Sequence, residues 1–203
     1  MDISALDEVF GVWCARVVAL TPEEWVAPTR LPGWTVQDLV AHMAPDKRVM
    51  EFLRGPRVEE PTVTSGAQML RIYNQPGGIA HTMADTAAEL AREAATIGAD
   101  TLIRHFLDDG PDLLAEFRSA DPAVGLPYPH AELGTVSFRA VAEVLLVEAT
   151  VHLLDLIAAV GGDRPPADAL RRTAEILSAV PDPVAFIESA TGRSSAAVLP
   201  VMR

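Results

Sequence analysis

Thr135-Val136-Ser137-Phe138-Arg139-Ala140-Val141-Ala142-Glu143-Val144-Leu145-Leu146-Val147-Glu148-Ala149-Thr150-Val151-His152-Leu153-Leu154-Asp155-Leu156-Ile157-Ala158-Ala159-Val160 is a run without proline or glycine, closed by Gly161-Gly162. It predicts a helix over 135–160 that stops at a glycine, as helices commonly do. From Ala140 onward the helix is apolar nearly all round, which places it at the centre of a bundle. Yet it carries Glu148, His152 and Asp155. At ~100° per residue these fall within roughly 60° of one another, on a stripe shared with Val141, Leu145 and Ala159. Charges on a buried helix are costly unless they are paired or bind a metal. Glu148 and His152 stand one turn apart, so both can reach one ion. A Glu-x-x-x-His pair by itself is a weak signal, and a buried ion pair or an interface accounts for it more readily than a metal.

Composition sets the surroundings of that helix. The 203 residues suit one domain with a small appendage, and 49% are apolar, enough for a sizeable core. Aromatics are only 5%. With Ala, Leu and Val dominant, helix is favoured over strand. The net charge of −12 repels phosphate backbones and anionic lipid, which argues against nucleic-acid or membrane partners. The single cysteine, Cys14, excludes an internal disulfide and reads as a core thiol beside Trp13. The N-terminus has no signal-peptide pattern, and no stretch reaches the roughly 18 apolar residues of a membrane span. A cytoplasmic, soluble chain is expected, as monomer or homodimer.

Working outward, helix 1 is predicted over about 4–20, with Val9, Val12, Trp13, Val17 and Leu20 as its apolar stripe. Ser4 and Asp7 resemble a capping box. Thr21-Pro22 reads as an N-cap followed by proline at the first helical position. Leu31-Pro32-Gly33-Trp34 forms a tight turn. Helix 2 begins at Thr35, with Asp38 three residues on. Pro45 should end or bend it just after His42. The middle is predicted as helices at 65–74, 79–96 and 100–108, with a restart at Pro111. Residues 121–132 read as a proline-rich loop, and no strand is expected before residue 190. Two shorter helices, about 166–179 and 182–190, precede an extended tail from Gly192 to Arg203.

His42 lies beside Leu39 and Met43 and can face the interior. With Glu148 and His152 it completes a set of two imidazoles and one carboxylate. Such a set leaves coordination positions open for water or substrate. His81, His105 and His130 read as surface or loop residues, Asp46 as solvated, and Trp25 and Trp34 as packing for the turn beneath helix 2. Gly77-Gly78 and Gly161-Gly162 lack the strand context of nucleotide loops.

The stretch Trp25-Val26-Ala27-Pro28-Thr29-Arg30-Leu31-Pro32-Gly33-Trp34-Thr35-Val36-Gln37-Asp38-Leu39-Val40-Ala41-His42 closely resembles the N-terminal signature of the mycothiol-dependent maleylpyruvate isomerase family, a branch of the DinB-like four-helix bundles. The Glu148-x-x-x-His152-x-x-Asp155 pattern matches that family's late helix, and Phe186 to Arg193 resembles a segment near the end of its members. The resemblance implies an all-α, DinB-like four-helix bundle over 1–162 with a short helical extension, 163–203, packed on it. It implies His42, Glu148 and His152 as ligands of a divalent metal. Zinc is expected first, with nickel, iron or manganese as alternatives. Asp155 would orient the His152 ring. It further implies mycothiol, a low-molecular-weight thiol, as cofactor, and a metal- and thiol-dependent isomerase or S-transferase acting on a small electrophilic molecule. The chain leaves no room for the isomerase's C-terminal α/β domain, so that activity itself is not implied. A non-enzymatic metal-stabilised bundle acting as a binding or sensor module, or a metal-dependent hydrolase, would need the same ligands. No general acid or base is identifiable.

Overall fold

The computed structural model describes residues 1–195, 198, 200 and 201, with backbone alone at 84 and 85. Its helices are α1 (Ser4–Ala19), α2 (Pro22–Trp25), α3 (Val36–Met43), α4 (Lys47–Leu53), α5 (Gly66–Asn74), α6 (Ile79–Thr82), α7 (Ala84–Ala95), α8 (Ala99–Arg104), α9 (Gly110–Ser119), α10 (Phe138–Val160), α11 (Ala167–Ser178) and α12 (Pro183–Ala190). The fold is all-α apart from one short strand pair. α10 is the axis of the bundle, and α1, α3, α5 and α11 pack around it. Among the described residues no helix is long and apolar enough to cross a membrane. Residues 196, 197, 199, 202 and 203 of the expected extended tail lie outside the described residues.

Local chemistry explains most helix ends. Thr21 with Glu24, and Thr35 with Asp38, form reciprocal capping boxes. Each satisfies backbone donors that a helix start leaves unpaired. The box expected at Ser4 and Asp7 does not form. Ile3 is the N-cap without a side-chain bond, and the Ser4 N–H donates instead to Asp2 Oδ1 at 3.0 Å. At its far end α10 stops at Gly161 (φ 72°), a left-handed conformation that glycine adopts without strain. Arg16 reaches from α1 to the freed carbonyls there, donating to Val160 O at 2.8 Å and Gly161 O at 3.1 Å. A cation at a helix C-terminus is also favoured by the helix dipole.

The structure departs from the sequence reading in three places. The expected helix 79–96 is divided at Met83 into α6 and α7. Conversely, the expected break before Pro111 is bridged: α8 continues through a π-helical turn, His105–Asp109, into α9. The Gly110 N–H donates to the His105 carbonyl, five residues back. The widened turn gives the Pro111 ring room that a regular α-turn would deny it. It also turns Phe106 onto Trp13, with ring centroids 5.7 Å apart, and Cys14 Sγ meets the Phe106 carbonyl at 3.5 Å. Cys14 is accordingly half-buried at the edge of the core rather than inside it. The third departure is the strand pair β1 (Gly125–Pro127) and β2 (Thr135–Ser137), antiparallel with Leu126 opposite Val136. β-branched Thr135 and Val136 suit this pleat, so α10 begins at Phe138, with Ser137 as its N-cap.

The interior is anchored by Trp13. Its fully buried indole donates Nε1–H to the Ala149 carbonyl at 2.9 Å, tying α1 to α10. α5 is tied to α10 differently. Gly66 N–H at its start donates to Glu143 Oε2 at 2.6 Å, and a Cβ on Gly66 would stand 2.6 Å from Glu143 Cβ. Gly66→Ala is therefore expected to destabilise the fold by about 1–3 kcal/mol, the usual cost of overpacking. The denaturant midpoint measures it; a variant with the parent midpoint would show that α5 does not sit this close to α10.

Candidate metal centre

One helix terminus and one helix middle build the site. Pro45 has no N–H and biases the preceding residue away from helix. Ala44 is extended (φ −65°, ψ 128°), and α3 ends at Met43, as the sequence predicted. His42 is left in the last helical turn, facing α10 across the α3–α10 contact. Asp46 is not a merely solvated group: its side chain caps α4, accepting from the Val49 N–H at 2.9 Å.

On α10, Glu148 and His152 stand one turn apart, with Glu148 Oε2 3.2 Å from His152 Nε2. The His42 and His152 rings meet edge to face, with centroids 5.1 Å apart. One ligand atom from each of His42, Glu148 and His152 lies within 4.8 Å of the others. The three residues singled out in the sequence therefore converge on one point. Asp155, the fourth, does not join that point. It accepts from His152 Nδ1 at 2.8 Å, on the far side of the ring. Trp34 meets the His42 ring edge to face at 5.4 Å, so it lines the site as well as its own turn. Trp25 is buried, as expected.

Electrostatics separate the two histidines. His42 keeps a solvent-exposed face, while protein crowds its other sides, as at the rim of a recess. That crowding lowers its pKa, the neighbouring His152 lowers it further, and Glu148 opposes both. His152 is only 13% exposed in its side chain, and burial disfavours its charge. Hydrogen bonds to Asp155 and Glu148, and their charges, outweigh burial and push its pKa up to about 9. Asp155 is buried, which would raise it, but the bonds to His152 and Arg30 hold its carboxyl below the ordinary carboxylate range.

Arg30 was missed as a site residue. Its guanidinium reaches in from the surface and pairs with Asp155 Oδ1. It lies inside the quoted N-terminal signature, which was the available signal. His130, read as a loop histidine, is on a loop but half-buried against Tyr128, with ring centroids 6.0 Å apart. His81 is exposed, and His105 pairs with Asp109 at 2.5 Å. Neither joins the site.

An all-helical bundle with an imidazole–carboxylate–imidazole cluster opening on one side is the class of protein these elements define. The chain belongs to the mycothiol maleylpyruvate isomerase N-terminal domain family, whose model matches residues 6–157. That span contains His42, Glu148, His152 and Asp155 and ends within α10. No curated protein and no solved structure matches the chain.

Proposed function

We propose that His42, Glu148 and His152 hold one divalent cation, zinc before nickel, iron or manganese, and that the protein is a metal- and thiol-dependent isomerase or S-transferase acting on a small electrophile. The observation that carries this reading is the convergence of the three ligand atoms within 4.8 Å, with the other nitrogen of His152 already held by Asp155. The donor set fits: neutral imidazoles and a carboxylate suit such ions, and three protein ligands leave a position open. A bound divalent cation would lower the pKa of a coordinated thiol such as mycothiol and so supply a thiolate at neutral pH. Asp155 fixes the His152 tautomer and ring orientation. Arg30 keeps Asp155 ionised, and Trp34 stands edge to face on the His42 ring. Reversible thiolate attack on a conjugated double bond isomerises it; retained attack is S-transfer. Residues 1–162 form the metal-binding unit in this reading. The helices of 163–203 are an extension, with α11 seated on α10 and α1 through buried Ala169.

The test is turnover of electrophiles by purified full chain, with and without metal and mycothiol. Both should be required. His42→Ala should lose turnover while keeping its circular dichroism, because apolar burial of Leu39, Met43 and Leu153 holds the bundle. Metal-dependent activity without a thiol would identify a hydrolase instead. Unfolding on metal removal, with no activity, would identify a structural ion. The exposed face of His42 supports an open site over a closed structural one.

A further inference from the structure

The chain's two tyrosines, Tyr73 on α5 and Tyr128 after β1, meet beside α10, their hydroxyls 3.3 Å apart. Phe52 stands edge to face on Tyr128 at 5.6 Å, and the His130 ring closes the group. Phe52, Tyr73 and Tyr128 pack on the same apolar cluster as Val141 and Val144 of α10. Val144 and Val141 lie one and two turns before Glu148 on the same side of α10, and α5, which carries Tyr73, packs along that helix, so the phenols sit next along α10 from the proposed metal ligands. Glu148 is close enough for its charge to act on both phenols, which burial also raises, so both stay neutral. Two phenols carry two donor hydrogens, and their mutual bond uses one. The other has no acceptor among the described residues. A half-buried phenol with a free donor hydrogen suits a ligand oxygen.

We propose that Tyr73 and Tyr128 form the subsite that receives the carbonyl oxygen of the electrophile. This rests on the thiol-dependent reading above. When a nucleophile adds to the β carbon of an enone, negative charge develops on the carbonyl oxygen. Neutral donors aimed at that oxygen stabilise it most as the charge grows. Phe52 and His130 supply flat walls suited to a planar conjugated system.

The experiment reads binding, not turnover. Cobalt(II)-loaded full chain is titrated with 4-mercapto-2-butanone and with 1-butanethiol, following the thiolate-to-cobalt charge-transfer band. The two thiols differ by one carbonyl oxygen. The parent protein should bind the ketone roughly three- to tenfold tighter, the worth of about one net hydrogen bond. In Tyr73→Phe/Tyr128→Phe that preference should vanish while 1-butanethiol binding is unchanged, which also shows that the variant is folded. Tyr128→Phe alone should lose part of it. A preference retained in the double variant, or absent from the parent protein, overturns the subsite. No charge-transfer band with either thiol, although cobalt is bound, overturns the thiol-dependent reading and the subsite with it.

Discussion

His152→Ala is expected to weaken divalent-cation binding by on the order of 1,000-fold or more. Loss of a hydrogen-bond partner behind a metal-binding histidine typically costs about 10–100-fold. Removing the ligand itself must cost more, because it takes away one of only three protein donors. The geometry ranks the neighbours. Asp155→Asn should fall within that ~10–100-fold range, since it leaves His152 in place but loosens its Nδ1 anchor, now 2.8 Å from Asp155. Arg30→Gln should cost less again, because Arg30 acts on the metal only through Asp155 and its side chain is 57% exposed. Competition against a chelator of known affinity measures all three. Undiminished affinity in His152→Ala would remove the site as drawn. Equal losses in Asp155→Asn and His152→Ala would make Asp155 a ligand.

The α10 part of the candidate site was legible in the sequence for a physical reason. Charged side chains in an otherwise apolar helix stand out because burial makes them costly, and α10 carries Glu148, His152 and Asp155 in just that setting. His42 was readable because it lies beside apolar Leu39 and Met43 and closes the N-terminal signature. The reading fails where tertiary contacts override local signals. Pro111 looks like a helix start but rides a π-turn that the Trp13–Phe106 contact favours. Thr135-Val136-Ser137 continues the apolar helical pattern, yet pairs with Gly125–Pro127. Tyr73 and Tyr128 are 55 positions apart with no shared motif. Only the packing of α5 on α10, and the pairing of β1 with β2 at the start of α10, bring them together. Arg30 illustrates a third case: it sits inside the N-terminal signature, but nothing local to its turn says that a buried carboxylate 125 residues later will pair with it.

Metal uptake is expected to be strongly pH-dependent well above the usual histidine range. Without a metal ion, charged His152 donates Nδ1–H to Asp155 and faces Glu148 with Nε2. Its pKa rises from 6.5 to about 9. The metal needs the Nε2 lone pair that this proton occupies, so binding must expel the proton. Affinity should therefore rise about tenfold per pH unit and reach a plateau near pH 9, roughly 100-fold above its value at pH 7. His42 adds little to this dependence above pH 7, because its pKa is lowered and its ring is already neutral. The metal-free protein should show the opposite trend. A folded-state pKa above the unfolded value contributes stability that is fully present below about pH 6.5 and is lost as pH climbs through about 9. Stability attributable to His152 should thus decline between those values without metal, while the metal-bound protein gains. Calorimetry in buffers of different ionisation enthalpy should find close to one proton released per metal bound at pH 7. Metal affinity that is flat between pH 7 and 9, with no proton release, would mean that the cation does not take the Nε2 position of His152.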